Sequence, residues 1–99
     1  RLQVDKFLLS FWKVYFTGSD QELNYFVQTT TPIRGYENTY QYNEMKNLKV
    51  MKIEDEIIAY CDVTMSDPNS GFQSTVLYKV HLLQDGDRWY VTQLNQGEV

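Results

Sequence analysis

A chain of 99 residues with 42% hydrophobic and 22% charged side chains has the size and composition of one globular domain, able to build a single modest core without metal or disulfide support. Its formal net charge of −4 argues against nucleic acid and against an anionic membrane surface as direct partners, because both select Lys and Arg. One cysteine, Cys61, excludes an internal disulfide and fits either a reducing cytosol or an exported protein that avoids thiols; no apolar run of roughly 18 residues spans a bilayer, and no signal peptide is present.

Residues 2–16 read as an amphipathic helix. Val4, Phe7, Leu8, Phe11, Trp12 and Tyr15 recur at helical spacing and form one continuous stripe. Burying those six side chains contributes on the order of 10 kcal/mol before chain entropy is counted. The helix should stop at Thr17-Gly18, with Gly18 as a left-handed C-terminal cap. Ser19 then starts a second helix: Glu22, three residues on, completes a capping box, and Asp20 suits the positive end of the helix dipole. Leu23, Phe26 and Val27 give it a short apolar face, and it should end near Gln28, ahead of Thr29-Thr30-Thr31-Pro32.

Residues 28–46 are punctuated by Pro32 and Gly35, with Tyr36, Tyr40 and Tyr42 among polar residues. They are expected to form an irregular connection containing a short edge strand near 39–43. The remainder reads as a meander. Residues 47–53 carry Leu48, Val50, Met51 and Ile53. Residues 56–66 alternate, with Ile57, Ala59, Cys61, Val63 and Met65 on one face and Ile58, Tyr60, Asp62 and Thr64 on the other. Asp67–Gly71 is a turn, and 72–84 form a strand with Val76, Tyr78, Val80 and Leu82 on one face. Gln84–Asp87 signals a hairpin with Asp-Gly at its centre. Residues 88–94 close the sheet, Trp89, Val91 and Gln93 opposing Tyr90, Thr92 and Leu94, and the last residues, Gln96–Val99, read as a frayed end. Helices placed before a run of strands give an α+β fold: two N-terminal helices packed on a curved antiparallel sheet of about four strands, a half-open cone.

This layout resembles the nuclear transport factor 2-like (cystatin-like) superfold over nearly the whole chain. The resemblance is carried by the first-helix stripe, by Phe16-Thr17-Gly18-Ser19-Asp20-Gln21-Glu22, and by the ending Asp85-Gly86-Asp87-Arg88-Trp89-Tyr90-Val91. More narrowly, Phe7–Gly18, Leu23-Asn24-Tyr25-Phe26, Val80-His81-Leu82 and Trp89–Leu94 resemble a soluble domain of the conjugative-transposon TcpC family. Members of that family are similar to VirB-eight-type components of type IV secretion systems. The resemblance implies a non-enzymatic structural part of the DNA-transfer apparatus of Gram-positive bacteria. It further implies a parent protein with a single membrane helix and soluble domains outside the cytoplasmic membrane, contacting other channel proteins and associating with itself. Beginning at Arg1 rather than Met, the chain reads as a fragment of such a protein, a single domain over 1–99 whose only tie to the membrane would be a segment outside it.

The superfold also hosts enzymes, so the residues themselves must be weighed. Asp62 with Tyr60 on the same strand face would make a general base with a phenol donor; the plainer reading is a solvent-facing position, because the opposite face is more apolar. His81, the only histidine, has no evident carboxylate or nucleophile among its strand neighbours, and a lone histidine is weak evidence for a metal site. Cys61 lies on the apolar face and reads as an inert buried thiol. The turn carboxylates Glu54, Asp55, Glu56, Asp85 and Asp87 lack the spacing of a calcium loop. Lys46, Lys49 and Lys52 read as a solvated, edge-protecting strand face rather than a nucleic-acid contact. No phosphate loop, Ser-His-Asp ordering or HExxH is present. No catalytic residue, metal or cofactor is therefore assigned. If the helices cover the concave face, Ile58, Tyr60 and Leu77, with Leu83, remain on the convex side as a protein-contact patch. The expected function is a protein–protein scaffold of a conjugative channel. The rival is a ligand-binding or enzymatic cone, which a plug of Phe7, Phe11, Trp12 and Trp89 would remove.

Overall fold

A computed structural model of the chain describes residues 2–28, 35 and 39–96. Helix α1 spans Leu2–Thr17 and is followed by a one-turn helix α2, Asp20–Leu23, that tightens into a 3₁₀ turn over Asn24–Phe26. Strands β1 (Gln41–Ile53), β2 (Glu56–Ser66), β3 (Gln73–Asp85) and β4 (Arg88–Gln96) then form one antiparallel meander in the order β1-β2-β3-β4.

The α1 stripe does what its spacing dictates. Val4, Leu8, Phe11, Trp12, Tyr15 and Phe16 are all buried against the inner face of the sheet, where Ala59, Cys61, Val63 and Met65 of β2 meet Tyr78, Val80 and Leu82 of β3. Cross-strand pairing puts these residues side by side: Ala59 opposes Val80, Cys61 opposes Tyr78, and Val63 opposes Val76. Aromatic rings fill most of the volume. Trp12 lies 4.8 Å from Tyr78 and 5.0 Å from Phe11 between ring centroids, and its indole N–H donates to Met45 Sδ at 3.3 Å.

The capping box at Ser19 forms as read, Ser19 Oγ accepting from the Glu22 backbone N–H and Glu22 Oε1 accepting from the Ser19 N–H. The second helix is shorter than predicted. It is over by Phe26, and Val27 instead makes a parallel bridge with Val91, with the Gln28 N–H donating to the Val91 carbonyl at 2.9 Å. Docking on the β4 edge satisfies backbone groups that another helical turn would have left exposed. Gly18 also differs from expectation, because it is not left-handed. Its N–H continues the α1 ladder to the Val14 carbonyl at 2.8 Å, and a Cβ there would stand 2.9 Å from Val14 Cγ1. Glycine is needed at that position for space, not for a positive φ. Gly35 is tighter still: a Cβ would lie 2.3 Å from the Tyr15 carbonyl oxygen, so this link residue sits directly on the α1 backbone. The expectations for Thr29–Pro32, Tyr36 and the last three residues lie outside the described residues.

The largest correction concerns β1. A short edge strand at 39–43 and a separate one at 47–53 are in fact one 13-residue strand. Two bulges hid it, one inserting Asn43 and one at Asn47-Leu48, where Asn47 adopts φ 56°. They set the inward residues Tyr42, Met45, Leu48 and Val50 at spacings of three, three and two, which no period-two search detects. A third irregularity in β4 inserts Thr92, so that Val91 opposes Leu82 while Leu94 opposes Val80. Leu94 therefore joins the inner face with Val91, and Gln93 turns outward, the reverse of strict alternation. In the last hairpin Asp85 pairs with Arg88, so the turn is Gly86-Asp87, with Gly86 at φ 62° as the first turn residue.

Candidate functional site

Strand alternation divides the functional candidates between two faces of very different character. The inner face is filled. Phe11 and Trp12 are completely buried, Phe7 and Trp89 pack against the buried cluster, and Phe16 stacks on Tyr42 at 6.2 Å. Among the described residues those buried as a whole are apolar, aromatic or thiol, while Oδ1 of half-buried Asp5 on α1 is also out of reach of solvent. Three hollows lined by described residues are open surface grooves, one at Ser19–Tyr25, one at the β1–β2 turn and one beside Trp89 and Arg88.

Cys61 is the inner-face residue with chemistry, and burial suppresses it. Desolvation pushes its thiol up to about 12; the adjacent Asp62 carboxylate adds to the shift, and a hydrogen bond with the Trp12 side chain opposes it. Tyr42 is raised for the same leading reason, desolvation, with Cys61 and Glu44 adding to it.

Asp62, Tyr60 and His81 all lie on the outer face, turned away from the helices. Asp62 accepts a hydrogen bond from the Asn47 amide at 2.8 Å, a contact the β1 bulge creates. Tyr60 is half-buried beneath Lys79, whose ammonium stands 5.9 Å from the ring centroid. His81 does have a partner, contrary to the reading of its strand neighbours: Nδ1 lies against the Glu56 carboxylate. The two residues are 25 apart in sequence, and only the β2–β3 register, which opposes Ile58 to His81, reveals the pairing. Neither Asp62 nor His81 faces a chamber, and among the described residues no three His, Cys, Asp or Glu side chains converge to hold a metal ion.

The three residues expected to form a contact patch occupy different depths on this face. Tyr60 and Leu77 are half-buried, whereas Ile58 is only 7% exposed, hemmed between Met51 on β1 and His81 on β3. More exposed are three residues at one end of the face: Met51 at 43%, Ile53 at 49% and Leu83 at 39%. Of these, only Leu83 was placed on the convex side from the sequence. The exposure of Met51 and Ile53 could not be read while the β1 register was hidden by its bulges.

A profile of the conjugative transposon protein TcpC family matches residues 1–92. The chain belongs to the TcpC family. Among curated proteins none matches. Among solved structures, the TcpC-family chain is similar to an Ntf2-like protein involved in plasmid conjugation, with a TM-score of 0.86 at 19% identity over 96% of the present chain and 38% of that protein. At that identity the likeness fixes the fold, a nuclear transport factor 2-like α+β domain, and the chain spans well under half the length of its structural relative. In this TcpC-family domain no helix among the described residues is long and apolar enough to cross a membrane.

Proposed function

We propose that this TcpC-family domain is a non-catalytic assembly module of a conjugative DNA-transfer apparatus of the type IV secretion kind, working by protein–protein contact. In this reading it sits on the outer side of the cytoplasmic membrane of a Gram-positive bacterium. It would be anchored through a segment outside the present chain and would contact other channel proteins rather than DNA. The observation that carries the reading is the filled cone. Where an enzyme of this fold would keep an ionisable pair facing an enclosed pocket, this chain places Trp12, Phe11 and Tyr78, and it turns Asp62 and His81 to the opposite surface. Family membership supplies the context of conjugation.

Deleting the encoding gene in a donor strain should abolish element transfer, and supplying it in trans should restore it. Transfer at the parental frequency in the deletion strain would remove the proposal. The rival, a ligand-binding cone, makes its own demand: a small molecule must displace buried aromatic side chains to enter. Saturation of the purified domain by any metabolite, with matching perturbation of Trp12, would favour that rival.

A further inference from the structure

We infer that the groove beside the β1–β2 turn, at the hairpin end of the sheet, is a docking site for a basic polypeptide segment that carries aliphatic side chains among its lysines or arginines. The inference names a partner chemistry for the assembly role proposed above and rests on that role.

The groove holds about 310 Å³ and is walled by Ile53, Leu82, Leu83 and Thr92, with Glu54, Asp55 and Glu56 at its rim. Ile53 and Leu83 are exposed, and exposed Met51 extends the apolar surface one rung along the outer face. The helices pack on the other side of the sheet and leave this wall uncovered among the described elements.

Topology brings more carboxylates to the same end. In a four-stranded meander the β1–β2 and β3–β4 turns lie together, and the register sets Ile53 opposite Glu56, Ile57 opposite Leu82 and Asp85 opposite Arg88. Both turns are acidic and exposed: Glu54, Asp55 and Glu56 stand at the first, Asp85 and Asp87 at the second. Glu56 lies against His81, whereas among the described residues Glu54, Asp55, Asp85 and Asp87 make no ion pair. The cations nearby are Lys52, paired with Ile57, and Arg88, which donates to the Tyr25 carbonyl at 3.1 Å and lies 5.0 Å from the Tyr90 ring. Asp87 and Arg88 border a second groove, with Phe7, Tyr25, Phe26 and Trp89.

Charge complementarity selects the occupant. The unpaired carboxylates repel an acidic or phosphate-bearing partner, and an uncharged one would strip water from them and return no partner. Among the described residues no three such groups converge, so the array suits cationic side chains spread along a polypeptide and not one metal ion. The groove is open, and its volume is at the floor of the roughly 300–1,000 Å³ that enclose a small ligand, so it fits the side chains of a passing segment. Strands stand ~4.8 Å apart, which puts the two turns ~10 Å from each other, a span that an extended segment covers in about three residues. An aliphatic side chain seated between Ile53 and Leu83 would then carry basic neighbours to both turns.

The test is calorimetric titration of the purified chain with a short blocked peptide that interleaves lysine with leucine, beside lysine–glycine and glutamate–leucine counterparts. The lysine–leucine peptide should bind, less tightly as salt rises; the lysine–glycine peptide should bind more weakly and the glutamate–leucine peptide not at all. Glu54→Gln/Asp55→Asn should weaken binding about fivefold, as the loss of two exposed charge contacts implies. Asp20→Asn/Glu44→Gln removes the same charge from α2 and from the far end of β1 and should bind like the wild type. Ile53→Thr/Leu83→Thr should bring the lysine–leucine peptide down to the level of the lysine–glycine one. Circular dichroism verifies the fold of each variant. Absence of lysine–leucine binding, equal binding of the three peptides, or equal loss in the two charge variants would overturn the inference. So would a dimer in sedimentation that Glu54→Gln/Asp55→Asn abolishes, because a second copy would then be the occupant. If the peptide fails to bind while deletion of the gene abolishes transfer, the inference falls and the assembly role stands. If the peptide binds as expected while deletion leaves transfer intact, the docking site stands and the assembly role falls.

Discussion

Replacing Trp12 by Ala is the sharpest perturbation of the filled cone. The indole is completely buried, lies within 6.2 Å (ring centroids) of Phe11, Tyr15, Phe16 and Tyr78, and donates its N–H to Met45 Sδ. A buried tryptophan removes ~200 Å² from water, which at ~25 cal/mol per Å² is worth about 5 kcal/mol. Truncation in well-packed cores costs about 3–5 kcal/mol. A domain of this size has a total stability of only about 5–15 kcal/mol, so the Ala variant should be partly or wholly unfolded at room temperature. Trp12→Phe keeps most of the ring contacts, loses the N–H···S interaction and should cost about 1–2 kcal/mol. Urea unfolding followed by far-ultraviolet circular dichroism measures both. Trp89, half-buried on β4, remains as a fluorescent reporter in each variant. A loss below about 1 kcal/mol for Trp12→Ala would refute the reasoning, since it would mean the cone holds water or mobile space where the indole is placed.

Gly35→Ala forces a methyl to within 2.3 Å of the Tyr15 carbonyl oxygen, and thermal unfolding should show a loss of at least ~2 kcal/mol; an unchanged midpoint would mean the link does not rest on α1. Ser19→Ala removes the acceptor of the capping box and should cost about 1 kcal/mol by urea titration, while Ser19→Asp should retain most of it. Cys61 should resist alkylation in the folded chain at pH 8 and react only on unfolding, as followed by mass spectrometry. The same thiol should make the protein less stable in alkali. Its ordinary value is 9.0 and its folded value is about 12, so the unfolded chain releases a proton between those values that the folded chain retains. The thiol's contribution is therefore present in full below pH 9 and fades as pH rises toward 12, with a slope of up to ~1.4 kcal/mol per pH unit. Cys61→Ala, compared with wild type by slope rather than by level, should flatten that decline.

The sequence was most legible where one periodicity acted without interruption. The α1 stripe, the Ser19–Glu22 capping box and the alternation of β2 and β3 each declare themselves within a dozen residues, because one face is buried and the other is wet. It was least legible where an extra residue breaks the period. Asn43 and Asn47-Leu48 in β1 and Thr92 in β4 each shift the inward face by one position, so β1 read as two fragments and Leu94 as an outward residue. Bulges cost the chain little and hide it well: they exchange one ladder bond for a bend that lets the sheet wrap its helices. One Gly assignment shows the same limit. Gly18 carries no positive φ and owes its place to crowding by Val14, and crowding is a tertiary fact. The candidate surface needed register as well. The contact of His81 with Glu56, the burial of Ile58 and the exposed band of Met51, Ile53 and Leu83 all follow from which rungs face one another across three strands. Once that register is known, the apolar filling of the inner face and the outward placing of Asp62, Tyr60 and His81 become one statement about where the chain spends its polar groups.

Complementation of a gene-deletion donor tests that statement most directly, by comparing transfer frequency with the wild-type gene and with the Met51→Glu/Leu83→Glu allele expressed to the same level. If the domain works through its outer face, the wild-type gene restores transfer and the folded double variant does not. Full restoration by the double variant would contradict the account.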